Sequence, residues 1–313
     1  MTAVDVLILT QDDDPTADYL LPYLDQESLS WIKWDPGNVP VKSSVGFELI
    51  NGAWQGFEIE VSPGNSISLD KVGLIWIRRP SYYHAPWGTP TDSLTRFVNL
   101  ESRAFLTGFW QCAPCPIVNP PLQGGFASIK AVQLMTAHKL GFNVPRTYMG
   151  NRPSTVKGLW EATHGRMILK GYTQGAVEMA DGTERGMATS LVEQDDLIDE
   201  TSITACPSIC QAYVDKDVEI RATVLGNEVL AAEIHSQKSE KTKHDWRNYD
   251  FDNTPHYPHQ LPPEIAHRCV ALIRELGLVY GAIDLVLTPN GEYFFLEINP
   301  SGQWAWLQDL CDL

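Results

Sequence analysis

The sequence predicts an α/β protein built from two or three sub-domains. Three observations carry this. The chain has 313 residues, 43% of them hydrophobic, which exceeds what one compact core usually needs. It opens on an apolar run, residues 4–9, followed by a loop and a helical pattern. It closes on a rapid succession of strand patterns, the last two with acidic side chains set among apolar ones.

Taken in order, Val4, Val6, Leu7, Ile8 and Leu9 form the first strand, and the acidic segment 10–15 leads to a helix through Leu20, Leu21 and Leu24. Alternation over 47–61 predicts a hairpin around Asn51-Gly52, since that dipeptide suits the positive φ of a tight turn. Residues 72–77 form a strand running into Arg78-Arg79-Pro80, and 95–110 a helix rich in Phe and Trp. The stretch 112–125, with four prolines and two glycines, reads as a linker. A helix over 128–140, stopped by Gly141, precedes short strands at 144–148 and 167–170. The second ends in Lys170, before a glycine-flanked loop at 171–175 that should be mobile. Strands at 210–214, 218–225 and 229–235 follow, with Gly226-Asn227 turning the last pair. Residues 236–261 form the longest loop and contain Asp245-Trp246-Arg247; loops of such length are usually functional or disordered. A helix at 263–276 and strands at 281–287 and 293–298 complete the chain.

A net charge of −16 argues against non-specific nucleic-acid binding, which relies on Lys and Arg, and favours a basic partner or ligands carried with a cation. No apolar run of about 18 residues suits a membrane span, and the first residues lack the pattern of a signal peptide, so a cytoplasmic protein is expected. Cys112 and Cys115 form one close pair and Cys206 and Cys210 another. A zinc site built from both is conceivable; idle or buried thiols are the expectation, with no histidine at metal spacing.

The chemistry concentrates at the C-terminal end. Asp284 interrupts an apolar strand, and Glu297 and Asn299, two residues apart, share one face of the next. Paired as a hairpin, these strands bring two carboxylates and an amide oxygen together, a donor set suited to Mg²⁺. The competing reading is three polar residues on a solvated face. The apolar neighbours oppose it, because charge buried there needs a partner.

These residues carry a resemblance. Together with Trp76-Ile77-Arg78-Arg79-Pro80, Lys130, Lys170, the run 211–237, Asp245-Trp246-Arg247 and 281–304, they make the sequence similar to the ATP-grasp superfamily. Within it the chain resembles the branch of glutathione synthetase and ribosomal protein S6 glutamate ligase. It is nearest there to the maturases of microviridin-type peptides, the graspetides. Ile234-His235-Ser236-Gln237, Asp245-Trp246-Arg247 and the ending Asn299-Pro300-Ser301-Gly302-Gln303-Trp304 point to that branch. D-alanine ligases carry an arginine where this chain has Ala282, a departure from the amino-acid ligases.

The resemblance implies an ATP-grasp fold of three sub-domains: an N-terminal α/β domain over 1–118, a central one over 119–207 and a C-terminal one over 208–313. The nucleotide would lie between the last two. Lys130 and Lys170 match phosphate-binding lysines, and Gln211, Tyr213 and Val214 match the hinge that reads adenine. Glu219 matches the residue that holds ribose, and Arg221 the arginine near the γ-phosphate; its competing reading is a surface ion pair with Glu219. Asp284, Glu297 and Asn299 match the magnesium ligands, with Lys170 and Arg221 stabilising charge during transfer. The implied reaction uses ATP and Mg²⁺ to activate Asp or Glu side chains of a ribosomal precursor peptide. It then joins them to Ser or Thr hydroxyls or Lys amines. Asp195 and Asp196, in an acidic stretch, are candidates for docking the peptide's leader. Arg78 and Arg79 are candidates for facing substrate carboxylates, and His235 and Arg247 for further substrate contacts. A homodimer is expected by the same resemblance. A glutamate or free amino-acid ligase and a non-catalytic nucleotide-binding protein are the alternatives.

Overall fold

The computed structural model describes residues 3–81, 92–173, 176–178, 183–186, 189–243, 245–248 and 250–313. Two compact units are present: Met1–Ile129 with Ile273–Ala282 and Asn299–Trp306, and Lys130–Leu272 with Ile283–Ile298 and Leu307–Leu313.

In the first unit, β1 (Val4–Leu9), α1 (Pro15–Gln26), β2 (Trp31–Trp34), β3 (Ser44–Ile50), β4 (Ala53–Ser62), β5 (Asn65–Ser68), β6 (Val72–Ile77), α2 (Asp92–Gln111), β7 (Ile117–Val118) and α3 (Pro121–Ala127) follow one another. Four parallel strands form a sheet in the order β2-β1-β6-β7. Alternation along β1 sorts its side chains. Val6 and Ile8 pack with Ala17 and Leu24 of α1, whereas Leu7 and Leu9 join Phe57, Ile59 and Phe109 in the larger core. α1 starts where the sequence places it because Asp14 accepts hydrogen bonds from Thr16 N and Ala17 N and Pro15 occupies the first turn. The hairpin expected around Asn51-Gly52 is the β3–β4 turn, Ile50 facing Ala53, with φ of 52° and 82° at the two turn residues. Strand β5 extends it to a three-stranded meander.

The linker expected over 112–125 is instead structured. It holds β7, hydrogen-bonded beside β6, and α3, whose Pro121 sits in the first turn, where a missing N–H costs nothing. Proline clusters mark element starts as well as loops.

Along the chain there follow α4 (Lys130–Lys139), β8 (Thr147–Gly150), α5 (Pro153–Ala162), β9 (Met167–Lys170), β10 (Ala176–Glu178), β11 (Glu184–Gly186), β12 (Ser190–Leu191), α6 (Glu200–Ala205), β13 (Ser208–Ala212), β14 (Val218–Leu225), β15 (Glu228–Ile234), β16 (His256–Pro258), α7 (Pro263–Glu275), β17 (Tyr280–Leu287), β18 (Tyr293–Asn299) and α8 (Ala305–Cys311). One antiparallel sheet runs β12-β9-β13-β8, with Val156 and Leu159 of α5 packed on Met167, Val192 and Cys210. The other runs β16-β15-β14-β17-β18. The helix expected over 128–140 begins only at Lys130, after the separate α3. In the long segment after β15, two short 3₁₀ turns and β16 give partial order. Of the glycine-flanked loop, Gln174 and Gly175 lie outside the described residues. All six cysteines are free thiols, Cys112 and Cys206 exposed.

Candidate active site

A pocket in the second unit gathers Lys170, Gln211, Tyr213, Glu219, Asp284 and Glu297. Its acidic side comes from β17 and β18. Asp284 lies within a strand of buried residues, and because β17 neighbours β14 it meets Arg221, whose Nη1 donates to Oδ1 at 2.8 Å. Both side chains are buried, so Arg221 is not in a surface pair with Glu219. Its guanidinium also stands 5.8 Å from the centre of the Trp246 ring. Burial pushes the Asp284 carboxyl above its ordinary value, with Arg221 opposing and the neighbouring Glu297 charge adding to the rise.

Glu297 is gripped at both oxygens. Lys130 Nζ donates to Oε2 at 2.6 Å and Arg247 Nη1 to Oε1 at 3.0 Å. Arg247 is itself oriented by a forked pair of bonds to Asp245, Nε to Oδ1 at 2.8 Å and Nη2 to Oδ2 at 2.7 Å. Burial works against ionising Glu297, yet Lys130, Arg247 and Lys170 together hold it down to about 2. The Asp245 bonds, opposing burial, and then the Glu297 charge raise Arg247, which stays charged.

Among the described residues no group of three His, Cys, Asp or Glu is placed to hold a metal. Two carboxylates are close enough to shift one another, however, and they carry only oxygen donors. A carboxylate holding one cation keeps further lone pairs, so Asp284 and Glu297 fit a hard ion such as Mg²⁺. Asn299 ends β18, two residues beyond Glu297, and its Oδ1 accepts a hydrogen bond from Ser301 N at 2.9 Å.

The other side of the pocket comes from the sheet of β9 and β13. Register places Gln211 beside Ile168 on one side and Thr147 on the other. Gln211 is fully buried; Lys170 Nζ donates to its Oε1 at 3.0 Å, and its Nε2 donates to Thr147 Oγ1 at 2.9 Å. Gln211 therefore orients Lys170 from within the sheet. Burial first, and then the charges of Lys130 and Arg247, push the Lys170 ammonium below its ordinary value, while Glu297 pulls it back. Past β13, Tyr213 N donates to Arg166 O at 2.9 Å, and the Arg166 guanidinium lies 5.3 Å from the Tyr213 ring centre. Val214, Ile168, Val286 and Leu296 add apolar walls, a lining suited to a flat aromatic ring. Glu219 is buried at the rim, where Lys216 Nζ at 2.9 Å and Ser236 Oγ at 2.8 Å both donate to Oε1. Burial raises its pKa against the pull of Lys216.

The remaining candidates lie elsewhere. Arg78, buried in the first unit, donates from Nη1 to Ser301 O and stands 3.6 Å from Asp14, which makes it a brace of the turn after β18. Arg79 is exposed, and its carbonyl accepts from Gln11 N. Glu219 pairs with Ile234 across the β14–β15 ladder, so Glu233 occupies the opposite face. His235 is bonded there, with Nε2 2.9 Å from Glu233 Oε1 and its ring against Tyr257, turned from the pocket. Asp195 and Asp196 edge a separate groove floored by Met167, Leu169, Leu197 and Ile203. Asp196 also completes a reciprocal cap with Glu193. Sequence reasoning missed Lys216 and Thr147, both ordinary polar residues until folding sets them beside Glu219 and Gln211.

No protein-family model matches the chain, and no curated protein sequence does. Solved structures do. The RiPP-associated ATP-grasp ligase of Chryseobacterium gregarium, in complex with ADP and a leader and core peptide, superposes at a TM-score of 0.88 with 28% identity over 98% of this chain and 92% of that one. The chain is an ATP-grasp ligase. The macrocyclase MdnC of Microcystis aeruginosa MRC, bound with its precursor peptide MdnA, gives 0.84 and 26% over 97% of the ligase and 94% of MdnC. The D-alanyl-alanine synthetase A of Vibrio cholerae O1 shares the fold alone, at 0.59 and 12% over 97% and 90%. No described helix of the ligase is long and apolar enough to cross a membrane.

Proposed function

We propose that the ligase activates Asp or Glu side chains of a ribosomal precursor peptide with ATP and joins them to Ser or Thr hydroxyls or Lys amines of the same peptide, closing ω-ester or ω-amide rings. The observation that carries this is two neighbouring carboxylates, the buried Asp284 and the partly buried Glu297, set among Lys130, Lys170, Arg221 and Arg247. Support comes from the likeness to MdnC, a macrocyclase bound with a precursor peptide, and to a RiPP-associated ligase bound with ADP.

Adenine would lie along Gln211, Tyr213 and Val214, ribose hydroxyls against Glu219, and the phosphates toward Lys130 and Lys170. Asp284, Glu297 and Asn299 would hold Mg²⁺, whose charge offsets that of the phosphate oxygens. The substrate carboxylate attacks the γ-phosphorus, ADP leaves, and an acyl phosphate forms. The hydroxyl or amine then attacks the acyl carbon, loses its proton, and inorganic phosphate departs. Lys170, fixed by Gln211, and Arg221 supply positive charge where phosphoryl oxygens gain negative charge, at no cost of reorganisation. The nucleotide would be held between a central sub-domain, 119–207, and a C-terminal one, 208–313, which follow an N-terminal domain, 1–118, along the chain.

The groove edged by Asp195, Asp196 and Asp199 has an apolar floor and an acidic rim, which fits a leader segment with one apolar and one basic face. A cytoplasmic homodimer completes the proposal.

Incubating the ligase with ATP, Mg²⁺ and a precursor peptide should remove one water per crosslink, read by mass spectrometry, with matching phosphate release. Asp284→Asn and Glu297→Gln should abolish both while the protein stays folded by circular dichroism. Phosphate release driven by free glutamate, and by no peptide, would replace this reading with an amino-acid ligase.

A further inference from the structure

We infer that Gln133 is a positioning residue that locks the phosphate lysine and the metal-ligand strand into one unit; this rests on the proposed function. Gln133 lies one helical turn after Lys130 in α4, so the two side chains leave the helix on the same face. It is 1% exposed. Its Nε2 donates to Ile298 O at 2.9 Å, and Ile298 N donates to its Oε1 at 3.2 Å. The side-chain amide thus mimics a neighbouring strand. It does so on β18, which closes one end of its sheet and whose outer peptide groups would otherwise need water or another strand.

The position matters because Ile298 separates Glu297 from Asn299. Tilting the Ile298 peptide would swing both flanking side chains, in opposite senses. The same turn of helix reaches Glu297 directly, Lys130 Nζ standing 2.6 Å from Oε2. Gln133 and Lys130 therefore form a two-point clamp, one on backbone and one on the adjacent carboxylate. Gln133 is not among the residues lining the pocket. Its effect is exerted through the geometry of Glu297 and the reach of Lys130.

The test uses Gln133→Met, similar in length but without either hydrogen bond, with Gln133→Glu as a second variant that keeps the acceptor for Ile298 N. In the nucleotide-free protein, the rate at which an amine reagent labels Lys130, read by mass spectrometry against Lys139 and Lys157, should rise several-fold in Gln133→Met and less in Gln133→Glu. With ADP present, Mn²⁺ used as a paramagnetic probe should bind Gln133→Met about tenfold more weakly by electron paramagnetic resonance, equivalent to about 1.4 kcal/mol. ADP without metal should bind within about twofold of wild type. An unchanged Lys130 labelling rate, or unchanged Mn²⁺ affinity in the folded variant, would overturn the inference. A wild-type protein that binds no Mn²⁺ with ADP would sink the nucleotide reading instead, and the labelling rates would still decide the role of Gln133.

Discussion

Glu297 shows how a single side chain can depend on its surroundings for its charge. Its partial burial by itself favours the protonated form, since ionised carboxylates are costly away from water. Lys130 and Arg247 each bind one of its oxygens, and the balance tips toward ionisation. A depressed carboxyl pKa adds stability that is fully present above the ordinary value of 4.5 and lost as pH falls toward about 2. Urea midpoints measured from neutral pH downward should therefore drop more steeply through that window in wild type than in Glu297→Gln. Parallel curves would show that Glu297 is not held ionised by its neighbours. Asp284, shifted upward chiefly by burial, runs the other way, so two adjacent carboxylates answer differently to protons. Its pair with Arg221 is buried on both sides, where losing one partner costs more than the pair itself contributes.

At the level of elements, the first unit ties its ends with side-chain amides rather than apolar contact alone. Asn119, next to β7, donates from Nδ2 to Tyr280 O at 2.7 Å and to Pro300 O at 2.8 Å, while its Oδ1 accepts from Val279 N at 2.8 Å and Tyr280 N at 3.0 Å. One buried amide thus joins the start of β17 to the turn after β18, the same turn that Arg78 braces through Ser301 O. Asn119→Ala leaves four partly buried backbone groups without this partner. It should lower unfolding free energy by about 3 kcal/mol, seen as a lower denaturant midpoint at unchanged slope. A shift under about 0.5 kcal/mol would mean water replaces the amide without loss.

For the molecule as a whole, charge is the property that reaches beyond any one element. A net −16 creates a field that attracts cations and basic segments, and the groove rimmed by Asp195, Asp196 and Asp199 lies within it. Binding of a basic leader peptide to that groove should weaken about tenfold as ionic strength rises from about 0.05 to about 0.5 M, because the Debye length shrinks below the spacing of surface charges. Asp195→Lys with Asp196→Lys should weaken it at low salt and flatten the salt dependence. Titration calorimetry reads both, and an affinity indifferent to salt would place the leader on another surface.

By itself the sequence determined the local patterns. These were the α/β alternation, the Asn51-Gly52 hairpin, the helix opened by the loop over 10–15, and the placing of Glu297 and Asn299 one pleat apart beside an apolar strand bearing Asp284. Such features depend on neighbours within a few residues, through helical and strand periodicity and turn conformation. Only the tertiary structure decided which charges meet. Arg221 reaches Asp284 because β14 and β17, distant in the chain, are adjacent in the sheet. Arg247 bridges to Glu297 from a segment with little regular pattern, and Gln133 finds Ile298 across 165 residues. Hydrogen bonds and ion pairs act over a few ångströms in space and leave no periodic trace along the chain, so these partners emerge only when the strands are set in order.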